Sequence, residues 1–218
     1  MEHQETSPLR LDSVAMLGAV LGFVILFAVA ALAYPGGTYF DHASVGHDFW
    51  RNTMCDVART VALDGAENRV GCAFARAAMT LLALGVGALF IALPRLFAHE
   101  RLGKAVRVLG AATVPFAIAV VNLPTDRYGQ LHGIAIVFAG TLGLSAALLA
   151  MKGLLADPRA PRLVVALGAL ALAVAAVDFG LYVRELIGAT AAQVAVAVLE
   201  RIATLLVLGW MLAVARVR

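Results

Sequence analysis

The chain has 218 residues, of which 62% are hydrophobic and 14% charged, and its formal net charge is +3. Soluble domains are closer to half apolar and a quarter charged, so a soluble globular fold is excluded. The basic residues are scattered between apolar runs and form no basic face or tail. This distribution excludes a nucleic-acid partner and favours membrane lipids.

Six apolar runs are each long enough to cross a hydrocarbon layer of about 30 Å as a helix. They lie at residues 12–34, 71–94, 105–123, 129–151, 162–184 and 191–215. The short segments between them carry the prolines and charges of turns, and the one long connection is 35–70. The sequence therefore predicts an all-α, polytopic protein of the cell membrane, a single six-helix bundle covering residues 1–218.

Lysine and arginine near the ends of the spans are divided unequally between the two sides of the predicted bundle. One side carries ten: Arg10, Arg95, Arg101, Lys104, Arg107, Lys152, Arg159, Arg162, Arg216 and Arg218. The other side carries five: Arg51, Arg59, Arg69, Arg127 and Arg184. Because cytoplasmic loops hold the excess of these residues, both termini are predicted in the cytoplasm and the 35–70 loop outside.

Polar side chains recur at helical spacing within four of the spans, so each set forms a stripe along one face. The stripes are Cys72, Arg76 and Thr80; Thr125, Tyr128 and His132; Asp178, Tyr182 and Glu185; and Gln193, Glu200 and Thr204, with Arg201 beside Glu200. In the predicted orientation nearly all of them lie in the outer half of the membrane, above an apolar inner half.

Charged groups at membrane depth face the bundle interior because exposure to lipid is costly. Two interpretations stay open: an internal ion-pair network that fixes helix register, or an outward-facing polar pocket that binds a ligand. The candidate ligand-binding residues are Asp56, Asn68, Arg76, His132, Asp178, Glu200 and Arg201. Glu200 is the leading candidate because it lies nearest the middle of its span.

The long loop contains side chains of the types that bind zinc. The candidate metal ligands are His42, His47 and Asp56 from the loop and His132 from the fourth span. Their spacing matches no established zinc motif, so solvated or capping histidines are the alternative. Cys55 and Cys72 are open to two interpretations, a disulfide or unpaired thiols.

Two stretches of the loop carry a family resemblance, residues 52–60 (NTMCDVART) and 64–69 (DGAENR). Together with the six-helix plan they resemble a bacterial membrane family defined by domain of unknown function number 998. That family is similar to a eukaryotic superfamily of GPI-lipid remodelling and autophagy-modulating membrane proteins. Cys55 stands where the family has a serine and Arg59 near its glycine, which leaves open any role that the serine hydroxyl carries.

The resemblance implies that Asp56 and Asn68 are family positions, and it extends to His132 at the start of the fourth span. It implies a six-helix fold and a lipid-handling context, and no particular activity.

Three classes of function follow from these patterns. The first is binding of a lipid headgroup or small polar ligand in the outward-facing pocket, with arginines for phosphate and carboxylates for amines or hydroxyls. The second is a metal-dependent intramembrane hydrolase, in which zinc would generate the nucleophile. The third is a small transporter or a structural partner subunit, and a homo-oligomer stays open because 218 residues is short for a transporter.

Overall fold

The computed structural model describes residues 10–187 and 193–217. In chain order its helices are α1 (Leu11–Ala33), α2 (Met54–Val57), α3 (Arg69–Ala92), α4 (Glu100–Asn122), α5 (Thr125–Ala156), α6 (Arg162–Leu186) and α7 (Gln193–Ala215). All except α2 are long and apolar enough to cross a membrane, so the described residues contain six candidate spans. This confirms the prediction of an all-helical, six-span protein.

Large apolar side chains cover the outer surface of the bundle. Leu21, Ile25 and Leu32 of α1 are each more than half exposed, as are Leu148 of α5 and Leu170 of α6. In water an apolar surface this extensive would promote association or aggregation, whereas the acyl chains of a bilayer cover it favourably. The surface and the six spans together fit an integral membrane protein.

Two spans begin four or five residues before the apolar runs that predicted them. The helix α4 begins at Glu100 and not at residue 105, and α5 begins at Thr125 and not at residue 129. The polar first turns of these helices were not predicted, because hydropathy detects the part of a helix that faces hydrocarbon and not its ends. Gly129 has a φ of 31°, which places a kink between the first turn of α5 and the rest. The predicted start of the sixth span, residue 191, lies outside the described residues.

The six spans form a closed ring, in which α1 packs on α3, α3 on α4, α4 on α5, α5 on α6, α6 on α7 and α7 on α1. Small residues allow the closest approaches. A side-chain carbon at Gly85 of α3 would lie 2.5 Å from both Ala19 of α1 and Met211 of α7. At Gly110 of α4 it would overlap Phe90 of α3. Van der Waals packing of closely spaced backbones therefore holds the helices together.

The two ends of the bundle differ in chemistry. The terminal end, which holds Arg10 and Arg216, has an ion pair between Arg95 and Asp12. The apolar core of the bundle contains fully buried side chains such as Leu93. The opposite end, here called the loop end, is covered by residues 35–68 between α1 and α3.

The covering loop has a defined structure. Two isolated antiparallel bridges pair Gly36 with Val45 and Val61 with Glu67. The Tyr34 hydroxyl donates to the carbonyl of Gly37 at 3.4 Å and accepts from the Leu63 amide at 3.2 Å. Burial raises the pKa of Tyr34 to about 12, so this hydroxyl stays protonated at neutral pH. The loop is therefore held by hydrogen bonds among its own residues as well as by its contacts with the helices.

We expect Gly85→Leu to destabilise the bundle, because its side chain would overlap Ala19 and Met211. Overpacking of this kind costs about 1–3 kcal/mol, which would appear as a lower Tm in detergent. The control is Gly18→Leu, since Gly18 is exposed on α1 and a side-chain carbon there meets no atom within 4 Å. Equal Tm losses in the two variants would contradict the packing described for α3.

Candidate functional site

A cavity of about 600 Å³ lies inside the ring of helices. It reaches the loop residues Tyr39 and Arg51 at one end, and Trp210 of α7 lines its inner end, nearer the terminal end. Along α7, Trp210 lies ten residues beyond Glu200, a distance of ~15 Å in a helix. The volume is typical of small-molecule sites, which run from roughly 300 to 1,000 Å³.

The lining of the cavity changes from polar to apolar along its length. At the loop end the polar lining residues are Tyr39, Arg51, Thr53, Cys55, Asp56, Thr125, His132, Asp178, Tyr182, Glu185 and Glu200. Deeper lining residues are mostly aliphatic or aromatic, such as Val86, Leu144 and Leu172. The deep Thr113 also lines the cavity, and its hydroxyl donates to the Leu109 carbonyl within α4 at 2.9 Å. The cavity is thus polar near the loop and apolar within.

Four carboxyl groups line the polar end, and they differ in their partners. Glu200 Oε2 accepts from the Met54 amide at 2.9 Å, and Asp56 Oδ2 accepts from the Thr53 amide at 2.7 Å. Asp178 Oδ1 and Glu185 Oε1 are buried atoms without a hydrogen-bond partner among the described residues. Carboxylate oxygens without partners favour a ligand that donates hydrogen bonds.

The short helix α2 positions Asp56 by a reciprocal capping box. The Thr53 hydroxyl accepts from the Asp56 amide at 3.1 Å, while the Asp56 carboxylate accepts from the Thr53 amide. Burial raises the pKa of Asp56, and its bonds with Thr53 partly oppose this rise. The helix α2 was not among the predicted helices, although a threonine followed three residues later by an acid, here Thr53 and Asp56, is a helix-start signal.

Arg201 lies beside the cavity and binds the loop. Its Nε donates to the Phe49 carbonyl at 3.2 Å and its Nη2 to the Asn52 carbonyl at 2.8 Å. The guanidinium also lies 5.2 Å from the ring centroid of Phe27 and 5.4 Å from that of Phe49. With only 4% of its surface exposed, Arg201 is a fastening between α7 and the loop and does not line the cavity.

Asn68 holds the loop at the start of α3. Its side-chain amide donates to the carbonyls of Val57 at 2.8 Å and Arg59 at 3.0 Å. The Asn68 side chain is 1% exposed and is not among the residues lining the cavity. These bonds hold the end of α2, so Asn68 helps to position the helix that carries Asp56.

Asp126 and His132 fix the start of α5. The Asp126 carboxylate accepts from the Thr60 hydroxyl and from the amides of Thr60 and Val61. His132 Nδ1 lies 2.8 Å from the Leu123 carbonyl, so this ring nitrogen carries the proton and donates. His132 therefore holds the turn between α4 and α5 while its ring lines the cavity.

The predicted ion-pair network is only partly present. Among Arg76, Asp178, Glu200 and Arg201, the single ion pair within the described ranges joins Arg201 Nη1 to Glu200 Oε2 at 3.9 Å. Arg76 is half-buried, its Nε has no partner in the described part of the chain, and it does not line the cavity. The structure brings Asp56, His132, Asp178 and Glu200 to one cavity, and leaves Asn68, Arg76 and Arg201 outside its lining.

The candidate zinc ligands have separate surroundings. His42 Nδ1 lies 2.6 Å from the Leu63 carbonyl, and His47 Nε2 lies 3.4 Å from Arg201 Nη2. Among the residues that the structure describes, no three His, Cys, Asp or Glu side chains are grouped as metal ligands. The fold does not bring three of the proposed ligands His42, His47, Asp56 and His132 together.

Both cysteines are free thiols. Cys72 donates to the Ala58 carbonyl at 3.2 Å, whereas Cys55 lines the cavity. Burial, and then the nearby carboxylates of Glu200 and Asp56, raise the pKa of the Cys55 thiol well above its usual value. A protonated thiol is a poor nucleophile, so burial disfavours a nucleophilic role for Cys55.

Comparison of the chain with models of protein families, with curated proteins and with solved structures finds no match. The resemblance to the domain of unknown function number 998 family therefore stays a prediction.

We expect Arg201→Met to loosen the loop, because the carbonyls of Phe49 and Asn52 lose their donor. Each unpaired buried group costs about 1–3 kcal/mol. Hydrogen exchange at the amides of Arg51 and Asn52 should accelerate, and the Tm should fall. The control Arg184→Met removes an exposed arginine from α6. Unchanged exchange in Arg201→Met would contradict the fastening.

His47 makes the stability of the fold depend on pH. Burial, and then the charge of Arg201, lower the pKa of His47 to about 4. Above pH ~6.5 the imidazole is neutral in both folded and unfolded chains, so its contribution is fully present. As the pH falls from ~6.5 towards ~4, only the unfolded chain takes up the proton, and folding is destabilised.

We therefore expect the Tm in detergent to fall less between pH 7 and pH 5 in His47→Gln than in the unmodified protein. The control is His99→Gln, since His99 is exposed near the terminal end and its substitution should leave the pH dependence unchanged. Parallel Tm curves for His47→Gln and the unmodified protein would refute the effect.

Proposed function

We propose that this chain is an integral protein of the cell membrane that binds an amphiphilic ligand, lipid or lipid-like. The ligand's polar head would lie at the loop end of the cavity and its hydrocarbon part in the inner end. The observation that carries the proposal is the change of lining, from the carboxyl groups of Asp178, Glu185 and Glu200 to apolar residues around Trp210. A ligand polar throughout would not suit the inner end.

The predicted orientation supports access from outside. With both termini in the cytoplasm, the loop end faces outward and the cavity opens to the outer leaflet or the exterior. The excess of lysine and arginine at the terminal end, ten against five, is the basis of this orientation.

Binding is favoured over passage through the bundle. The core includes fully buried side chains such as Met16, Leu93, Leu154 and Val214. A transport path would need polar groups or space at that depth. A lipid-handling role is also what the family resemblance implies.

Selectivity for a lipid ligand would come from its head. Moving a methylene from water into an apolar site gains about 0.8 kcal/mol, but a ligand that arrives from the bilayer leaves surroundings as apolar as the inner cavity. The tail therefore sets the fit, and the polar end sets which ligand is preferred.

A bromine atom at the end of a hydrocarbon tail should quench Trp210. The chain has two tryptophans, so Trp50→Phe leaves Trp210 as the only one. In phosphatidylcholine nanodiscs, we expect ω-bromododecyl amphiphiles to quench Trp210 fluorescence saturably, at a small mole fraction of the bilayer. Bulk partitioning would quench in proportion to concentration.

The matched variants place one bulky side chain on either face of α6. Ala175 lines the cavity, whereas Ala176 is exposed on the outer surface. We expect Ala175→Phe to abolish the saturable quenching and Ala176→Phe to retain it, with Tm values showing that both fold. Saturable quenching that survives Ala175→Phe, or none in the parent, would refute the proposed function.

A further inference from the structure

The polar end of the cavity has an excess of acidic groups. Asp56, Asp178, Glu185 and Glu200 line it, and among the described lining residues Arg51 is the one lysine or arginine. The Arg51 side chain is 58% exposed, and its Nε lies 3.8 Å from Asp48. It therefore lies at the mouth and is too exposed to neutralise the carboxyl groups deeper in the cavity.

Neither of the two candidate arginines, Arg76 and Arg201, lines the cavity. Arg201 donates through Nε and Nη2 to the carbonyls of Phe49 and Asn52, and its Nη1 lies 3.9 Å from Glu200 Oε2, so it partly balances Glu200 from outside the lining. Arg76 lies on α3 away from the lining. Recognition of a phosphate or carboxylate head needs such donors directed at the ligand, so the cavity disfavours anionic heads.

Two of the acids lie on the same face of α6. Asp178 and Glu185 are two helical turns apart and share a face, ~10 Å along the axis. Both Glu185 and Glu200 are near enough to Asp178 to interact with it electrostatically. Neighbouring carboxylates repel one another, and a cation placed among them removes that repulsion.

The unpartnered hydrogen-bond acceptors of the cavity also favour a cationic ligand. The oxygens Oδ1 of Asp178 and Oε1 of Glu185 are buried and have no partner within the described ranges. Each is an acceptor, and an ammonium group offers three donors together with a positive charge. Charge-assisted hydrogen bonds of this kind are about twice as strong as neutral ones.

We propose that the head group bound at the loop end is a protonated primary amine, carried on a single hydrocarbon chain. The inference rests on the proposed function, because it names the class of amphiphile that the cavity takes. The cavity volume of about 600 Å³ is in the range of small-molecule sites, which favours one chain over a two-chain lipid. The ammonium lies between Asp178 and Glu185, and the chain extends towards Trp210.

The test compares three probes that differ only in their heads: 12-bromododecylamine, 12-bromododecanol and 12-bromododecanoic acid. They are titrated at pH 7, where the amine is protonated, into Trp50→Phe protein in phosphatidylcholine nanodiscs. Quenching of the Ala175→Phe protein is subtracted as the bilayer background, and concentrations are expressed per bilayer lipid. We expect the amine to saturate at least tenfold lower than the alcohol, and the acid to bind most weakly.

Removing the acids should remove the preference and leave the cavity intact. In Asp178→Asn and Glu185→Gln the amine's advantage over the alcohol should shrink at least threefold. Glu100→Gln, a substitution of an exposed acid at the opposite end, should keep the full advantage. Tm measurements identify any variant that fails to fold, and the two substitutions serve as independent tests.

The possible outcomes distinguish failure of the amine assignment from failure of amphiphile binding. Saturable quenching by all three probes with equal affinity would overturn the amine assignment and leave amphiphile binding standing. A preference for the amine that persists in both Asp178→Asn and Glu185→Gln would also overturn it. If no probe quenches saturably, amphiphile binding itself fails.

Discussion

A buried cation on α7 joins the loop to the helices. Arg201 projects from α7, which is one of the six apolar spans. The residue is 4% exposed, and loop carbonyls and two phenylalanine rings surround its guanidinium. A charge at this depth is tolerated only with such partners. The loop therefore takes one position over the bundle, and that position brings α2 and Asp56 to the rim of the cavity. This contact holds the mouth of the site together with the bonds of Glu200 to Met54 and of Asp126 to Thr60.

The polar groups near the loop end divide into two sets by their hydrogen-bonding roles. Donors such as Arg201 and Asn68 contact backbone carbonyls of the loop. The carboxyl groups of Asp178 and Glu185 keep oxygens without partners among the described residues and line the cavity. Glu200 belongs to both sets, because it accepts from the Met54 amide and also lines the cavity. The acidity of the site results from this division.

The spans could be predicted from sequence because the thickness of a bilayer fixes the length of an apolar helix. Helical spacing likewise placed Asp178 and Glu185 on one face. The direction of Arg201 could not be predicted, since it depends on a loop some 150 positions away, as its contact with Asn52 shows. The role of Asn68 was hidden although its partners are near in sequence, because only the folded loop turns the carbonyls of Val57 and Arg59 towards its side chain. A residue's type indicates what it can bind, and only the fold decides what it meets.

The inner end of the cavity limits the length of a ligand that can enter it. A chain inserted past Glu200 meets the indole of Trp210 after ~15 Å, and Phe90 lines the wall nearby. Gly168 of α6 and Gly110 of α4 let these two rings pack directly against neighbouring backbones. An amphiphile bound as proposed would therefore be limited in tail length: a tail that is too long would meet Trp210 before its head reached the acids, and a tail that is too short would leave the inner end of the cavity empty.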